Sequence, residues 1–102
     1  MQPAAFEVLG SDDVVDGAGI PVIVYGINIL SSEGGGGLAV LGDGEDSGAS
    51  AIISIHGSEA SIDEYFHLGD RGIFFPNGCY VDIDDNVSSC TVVYRRYDGY
   101  TG

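Results

Sequence analysis

Apolar and polar residues alternate with a period of two over much of this chain, most plainly between Gly72 and Tyr97. Cys79, Val81 and Ile83 alternate with Tyr80, Asp82 and Asp84, and Cys90, Val92 and Tyr94 alternate with Thr91, Val93 and Arg95. That period puts successive side chains on opposite faces of a strand. Asp84-Asp85-Asn86 lies between the two runs and supplies short polar side chains that suit a turn, so the pattern predicts that they close as an antiparallel hairpin. Phe75-Pro76-Asn77-Gly78 is a second turn: Pro76 fixes φ at the second position and Gly78 frees the exit. Ile73 to Phe75 is expected to feed the hairpin.

The preceding residues read as short strands between Gly-, Asp- and Asn-rich connections. Ala4 to Leu9 fits an edge strand or the start of an arm, with Phe6 and Val8 on one face. Gly10 to Gly19 is acidic and turn-rich, with room for a short bridge at Val14-Val15. Ile20 to Leu30 (IPVIVYGINIL) is the longest apolar run, β-branched at most positions, which predicts a strand covered on both faces, by the opposite sheet on one side and by a partner on the other. Gly26 within it predicts a bulge, a bend or a close approach by another backbone. Ser31 to Gly37 is a glycine-rich loop, Leu38 to Leu41 a strand, and Gly42 to Gly48 a polar loop. Ala49 to His56 is a strand with Ile53 and Ile55 on one face and Ile52 and Ser54 on the other. Ser58 to Leu68 fits a helical turn through Ile62, Tyr65 and Phe66, or a strand face through Ile62, Glu64 and Phe66; the strand is preferred. Seven or eight short strands and no long helix predict an all-β fold, an antiparallel β-sandwich or jelly roll. The 102 residues fit one domain, with 1–10 as a possible N-terminal arm and 98–102 as a tail.

Composition narrows the partners. Sixteen acidic and three basic residues give a formal charge of −13, which argues against nucleic acid and anionic membranes as partners. With 44% hydrophobic and 19% charged residues the chain is expected to fold despite that charge. The opening reads as a cytosolic start, and no apolar run reaches the roughly 20 residues of a membrane helix. Cys79 and Cys90 are expected to be reduced and buried, although a hairpin with a two-residue loop would set them directly opposite each other. Two thiols alone fall short of the about four ligands that zinc takes.

Candidate chemistry is sparse. Asp43, Glu45 and Ser47 precede Gly48 with the spacing of a calcium loop, but Ser54 stands where the bidentate glutamate belongs, and no helices flank the loop. Asp82, Asp84 and Asn86 are explained by turn formation. His56 and His67 have Asp63, Glu64, Asp70 and Ser54 nearby in sequence, yet no spacing joins them into a catalytic pattern, and the surface is their ordinary place. The glycine-rich loop has no lysine and no following helix to hold a phosphate. No catalytic residue, metal or cofactor is assigned, and the chain is expected not to be an enzyme.

Taken in order, IPVIVYGINILSS, GLAVLGDGEDSGASAIISIHG and FPNGCYVDIDDNVSSCTVVYRRY resemble small virion proteins of tailed bacteriophages. The closing element carries the resemblance: Pro76-Asn77-Gly78, Tyr80-Val81-Asp82, and Thr91-Val92-Val93-Tyr94-Arg95. The resemblance spans roughly Val8 to Tyr97, and the acidity and the two cysteines depart from its pattern. It implies a structural subunit assembled into the virion in the host cytoplasm, a capsid decoration (cement) protein or part of a head fibre or tail. Its implied partners are the major capsid protein, or another virion protein, and further copies of itself, with a trimer favoured by analogy. The candidate interface is whichever of the pairs Val22, Val24 or Ile23, Tyr25 faces outward, joined by Tyr94 and Tyr97. A carbohydrate- or cation-binding module of a fibre or tail is the alternative, to be recognised by Tyr94, Tyr97 and Tyr100 gathered with acids in a concave patch.

Overall fold

A computed structural model describes residues 5–17, 19–31, 36–57 and 63–97. These contain nine strands: β1 (Ala5–Leu9), β2 (Asp13–Val14), β3 (Val22–Ser31), β4 (Leu38–Asp43), β5 (Ser50–His56), β6 (Asp63–His67), β7 (Ile73–Phe75), β8 (Cys79–Ile83) and β9 (Val87–Arg96). One sheet runs β1-β9-β3-β6, with β7 also on β3, and the other runs β2-β8-β4-β5. Every pairing is antiparallel. β6 pairs with Gly26–Leu30 and β7 with Val22–Val24, so the two form a single edge of β3, interrupted at Leu68–Gly72. Counted as one strand, they leave two four-stranded sheets whose neighbours, β4 and β5 apart, come from distant parts of the chain, the double Greek-key order of a jelly roll.

The expected hairpin does not form. β8 lies in the second sheet beside β4 and β2, β9 lies in the first beside β3 and β1, and Asp84–Asn86 carries the chain across the sandwich. The turn at Phe75–Gly78 crosses in the same way. It closes through Gly78 N–H to the Phe75 carbonyl at 3.2 Å, and Gly78 takes a φ of 102°. Alternation and turn chemistry are local, and an arch between two sheets satisfies them as well as a hairpin does. Strand partners are chosen by long-range burial of the inner faces.

The core fills the space between the sheets. β3 contributes Val22, Val24, Ile27 and Ile29, and the change from even to odd positions is made by a bulge between Val24 and Gly26 in its pairing with β9. The bulge lets a nearly continuous apolar run keep its β-branched residues inward on both sides of the irregularity. Leu41, Phe75, Val81 and Val92 are also fully enclosed. Ile55 is buried and Ile53 packs against the core, whereas Ile52 is exposed, as the alternation in β5 predicts.

Candidate interaction surface

Val22 and Val24 have no exposed surface and Tyr94 has 7%, so these three expected interface residues belong to the core. The outward pair is Ile23 and Tyr25, both half-buried. Ile23 lies between Phe74 of β7 and Arg95 of β9 in the ladder. Phe74 (46% exposed) packs on Tyr97 (44% exposed) with ring centroids 4.7 Å apart. The Arg95 guanidinium lies 5.8 Å from the Tyr25 ring centre, within cation–π range. Farther along the face, Tyr65 of β6 lies over Gly26, where a Cβ would fall on its hydroxyl and ring. Leu30 is also exposed. The outer face over β3, β7 and β9 thus carries aromatic and aliphatic side chains beside Arg95, and toward β6 it turns polar, where Asp63 accepts Asn28 Nδ2 at 2.8 Å.

Charge sets this face apart. The central strands β3 and β9 contain no acidic residue and two arginines, in a chain with sixteen acids. The third arginine, Arg71, is exposed in the turn that interrupts the β6–β7 edge. Alternation alone does not single out Phe74, Arg95 and Tyr65 as interface residues; the acid-free composition of the two long strands is the signal that points to them.

Other polar groups fix loops to the frame. Asp16, with a φ of 66°, accepts the Tyr94 hydroxyl at 3.1 Å and Arg96 Nε at 2.7 Å, which ties the loop after β2 to β9. Asp43 accepts the Asn77 backbone N–H and its side-chain amide, each at 2.9 Å. Asp46 accepts Gly48 N–H at 2.9 Å. Two carboxylates of the calcium-like stretch are therefore bonded to the chain itself. Among the described residues no group of three or more His, Cys, Asp or Glu side chains could hold a metal ion. His56 ends β5 in one sheet and His67 ends β6 in the other, where its Nδ1 accepts Gly69 N–H at 3.2 Å.

Acidic residues also stand on the second sheet, with Asp13 on β2, Asp43 on β4 and Asp82 on β8. Asp12 accepts Ile83 N–H at 2.8 Å. Its charge next to Asp82 raises the Asp82 carboxyl above the usual carboxylate range, with desolvation and a hydrogen bond between the two adding to the effect. An open depression of about 530 Å³ between Gly10–Asp12 and Ile83–Val87 has acidic walls and no aromatic residue. The concave patch of tyrosines and acids that a sugar site would need does not form from Tyr94 and Tyr97, and Tyr100 lies outside the described residues. Cys79 and Cys90 are buried, unbridged thiols. Burial, then the neighbouring Cys90 and Asp43, push Cys79 up to about 12, and burial pushes Cys90 up to about 11.

No family model matches the chain, and no curated protein or solved structure is significantly similar to it.

Proposed function

We propose that this protein is a non-enzymatic structural subunit of a tailed-bacteriophage virion, a decoration protein that lays the outer face of the β3 and β9 strands on the capsid and turns the β2-β8-β4-β5 sheet to solvent. One observation carries the reading: an apolar, aromatic face built on the two acid-free strands of a strongly acidic chain. A chain of this charge repels other acidic surfaces over most of its own, and the face bearing Arg95 is where a protein surface with apolar ground and an acidic rim can approach. The resemblance of the closing element to phage virion proteins supplies the virion context. Jelly rolls serve capsids, lectins and enzymes alike, so the fold leaves the choice to the surface.

Mass spectrometry of purified particles of the phage that carries this gene, followed by a cryo-EM map of those particles, tests the proposal. The expected result is the chain in stoichiometric amount on the particle exterior with Ile23, Tyr25 and Phe74 against the capsid. Its absence from purified particles, or attachment through the β2-β8-β4-β5 sheet, would overturn it.

A further inference from the structure

We infer that Asn77-Gly78 is a site of spontaneous covalent modification, deamidation through a succinimide, which the Asp43 carboxylate holds closed in the folded protein and whose completion would loosen the arch between the two sheets. Asn77 is exposed in the turn that carries the chain from β7 to β8. Of the three asparagines in the sequence it alone precedes a glycine: Asn28 precedes Ile29 and Asn86 precedes Val87. The reaction needs the backbone nitrogen of the following residue to reach the asparagine side chain. A residue without a Cβ obstructs that approach least, and a β-branched one obstructs it most.

The step needs water and nothing else. The Gly78 nitrogen attacks Asn77 Cγ, an N–Cγ bond forms, the Cγ–Nδ2 bond breaks, and ammonia leaves with the proton that the attacking nitrogen gives up. Water then opens the ring at Cγ to leave aspartate, or at the main-chain carbonyl carbon to leave isoaspartate, in which the backbone runs through the former side chain. The net change converts the side-chain amide and a water molecule into a carboxylate and an ammonium ion, with no change of oxidation state.

The fold requires both residues and restrains both. Gly78 has its φ of 102°, and a Cβ there would lie 3.2 Å from the Gly44 carbonyl oxygen and 3.3 Å from the Gly19 nitrogen, so glycine is the residue that fits. Asn77 gives its backbone N–H to Asp43 Oδ1 and its side-chain amide to Asp43 Oδ2, which holds the side chain to the end of β4. The attacking nitrogen is engaged as well: Gly78 N–H donates to the Phe75 carbonyl at 3.2 Å, and the Gly78 carbonyl accepts Gly44 N–H at 2.9 Å. A carboxylate beside this peptide also opposes loss of its proton, because it repels the anion left behind. Conversion to aspartate sets a second carboxylate where Asp43 now receives a donor at 2.9 Å, two acceptors with no proton between them. Isoaspartate lengthens the main chain of an arch that is bonded on both sides of the dipeptide.

The purified protein, incubated at mildly alkaline pH and mapped by peptide mass spectrometry with an isoaspartate-specific methyltransferase, tests this. In the urea-unfolded chain Asn77 is expected to convert faster than Asn28 and Asn86. In the native protein it is expected to convert roughly tenfold more slowly than when unfolded, the factor that about 1.4 kcal/mol of hydrogen bonding supplies. Asp43→Ala, shown to be folded by circular dichroism, should raise the native rate at Asn77 severalfold and leave Asn86 unchanged. Asn86 is the internal control: the Val87 N–H that follows it is bonded to the Asp84 carbonyl at 3.1 Å, and a general loss of stability would expose both sites. Asn77→Asp, the aspartate product made directly, should melt about 4–8 °C below its parent and lose less in the Asp43→Ala background. Native conversion as fast as in the unfolded chain, an unchanged Asn77 rate in folded Asp43→Ala, or an Asn77→Asp protein as stable as its parent would each overturn the inference. The first and third comparisons need no Asp43 variant, so they decide the matter even where Asp43→Ala does not fold.

Discussion

Single residues show how this chain handles groups that resist burial or crowd one another. Cys79 and Cys90 serve as small apolar core residues, and burial raises their pKa values well above the ordinary thiol value of 9.0. Because the folded-state pKa values lie above the unfolded one, the folded protein holds these protons where the unfolded chain has lost them. Their contribution to stability is complete below pH 9 and falls as pH rises toward about 11 to 12. Denaturant midpoints measured from pH 8 upward should therefore decline, and iodoacetamide should label neither thiol at neutral pH faster than the protein unfolds. Rapid native labelling would show that the core opens locally. Asp82 has the same sign for a different reason, the adjacent Asp12 charge. Asp82→Asn should raise the melting temperature at pH 7, and the gain should vanish once acid protonates Asp82 in the parent. An unchanged or lower melting temperature at pH 7 would mean that the two carboxylates do not strain the fold.

The strands show where local pattern determines the fold and where it does not. Gly26 lies next to the bulge in β3 and beneath the Tyr65 ring of β6. Gly26→Ala should push the exposed Tyr65 ring aside and cost less than the about 1–3 kcal/mol of overpacking an enclosed core. Adding Tyr65→Ala should recover part of that loss, a non-additivity that denaturant titration of the single and double variants would reveal. Fully additive losses would show that the glycine is needed for its backbone and not for the ring above it. The bulge at position 26 was legible in the sequence, as were the shared face of Ile53 and Ile55 in β5 and the turn at Phe75–Gly78, whereas the Tyr65 ring over Gly26 was not. The partners were not. β8 and β9 look like a hairpin because Asp84–Asn86 is good turn chemistry, but the inner rows Cys79, Val81 and Cys90, Val92 belong to opposite walls of the core. For β3 the apolar run predicts the opposite sheet on one face and a partner on the other; the fold encloses the face with Val22, Val24, Ile27 and Ile29 and leaves Ile23, Tyr25 and Leu30 on the other. The Phe74–Tyr97 contact joins residues brought together by the pairing of β3 with both β7 and β9, a juxtaposition that no short window contains.

Across the whole molecule, the two long central strands of one sheet are free of acids, while its edge strand β6 and the other sheet both carry them. The β3–β9 face offers Ile23, Tyr25, Phe74 and Tyr97 beside Arg95, while Asp12, Asp13, Asp82 and Asp84 lie on the strands and turns of the other sheet. An aromatic anchor at the centre of an interface typically contributes about 2 kcal/mol or more, roughly thirtyfold in affinity. A carboxylate placed there would be desolvated without a partner, which costs more. Tyr25 is half-buried against Arg95 on the outer face, so a change there leaves the core intact. The most direct test is co-sedimentation of purified wild-type and Tyr25→Glu protein with phage particles that lack the protein, with circular dichroism confirming that both are folded. Wild type is expected to pellet with the particles, and Tyr25→Glu to remain in the supernatant at concentrations at least thirtyfold higher. Equal binding by the folded variant, or no binding by wild type, would contradict docking through the β3–β9 face.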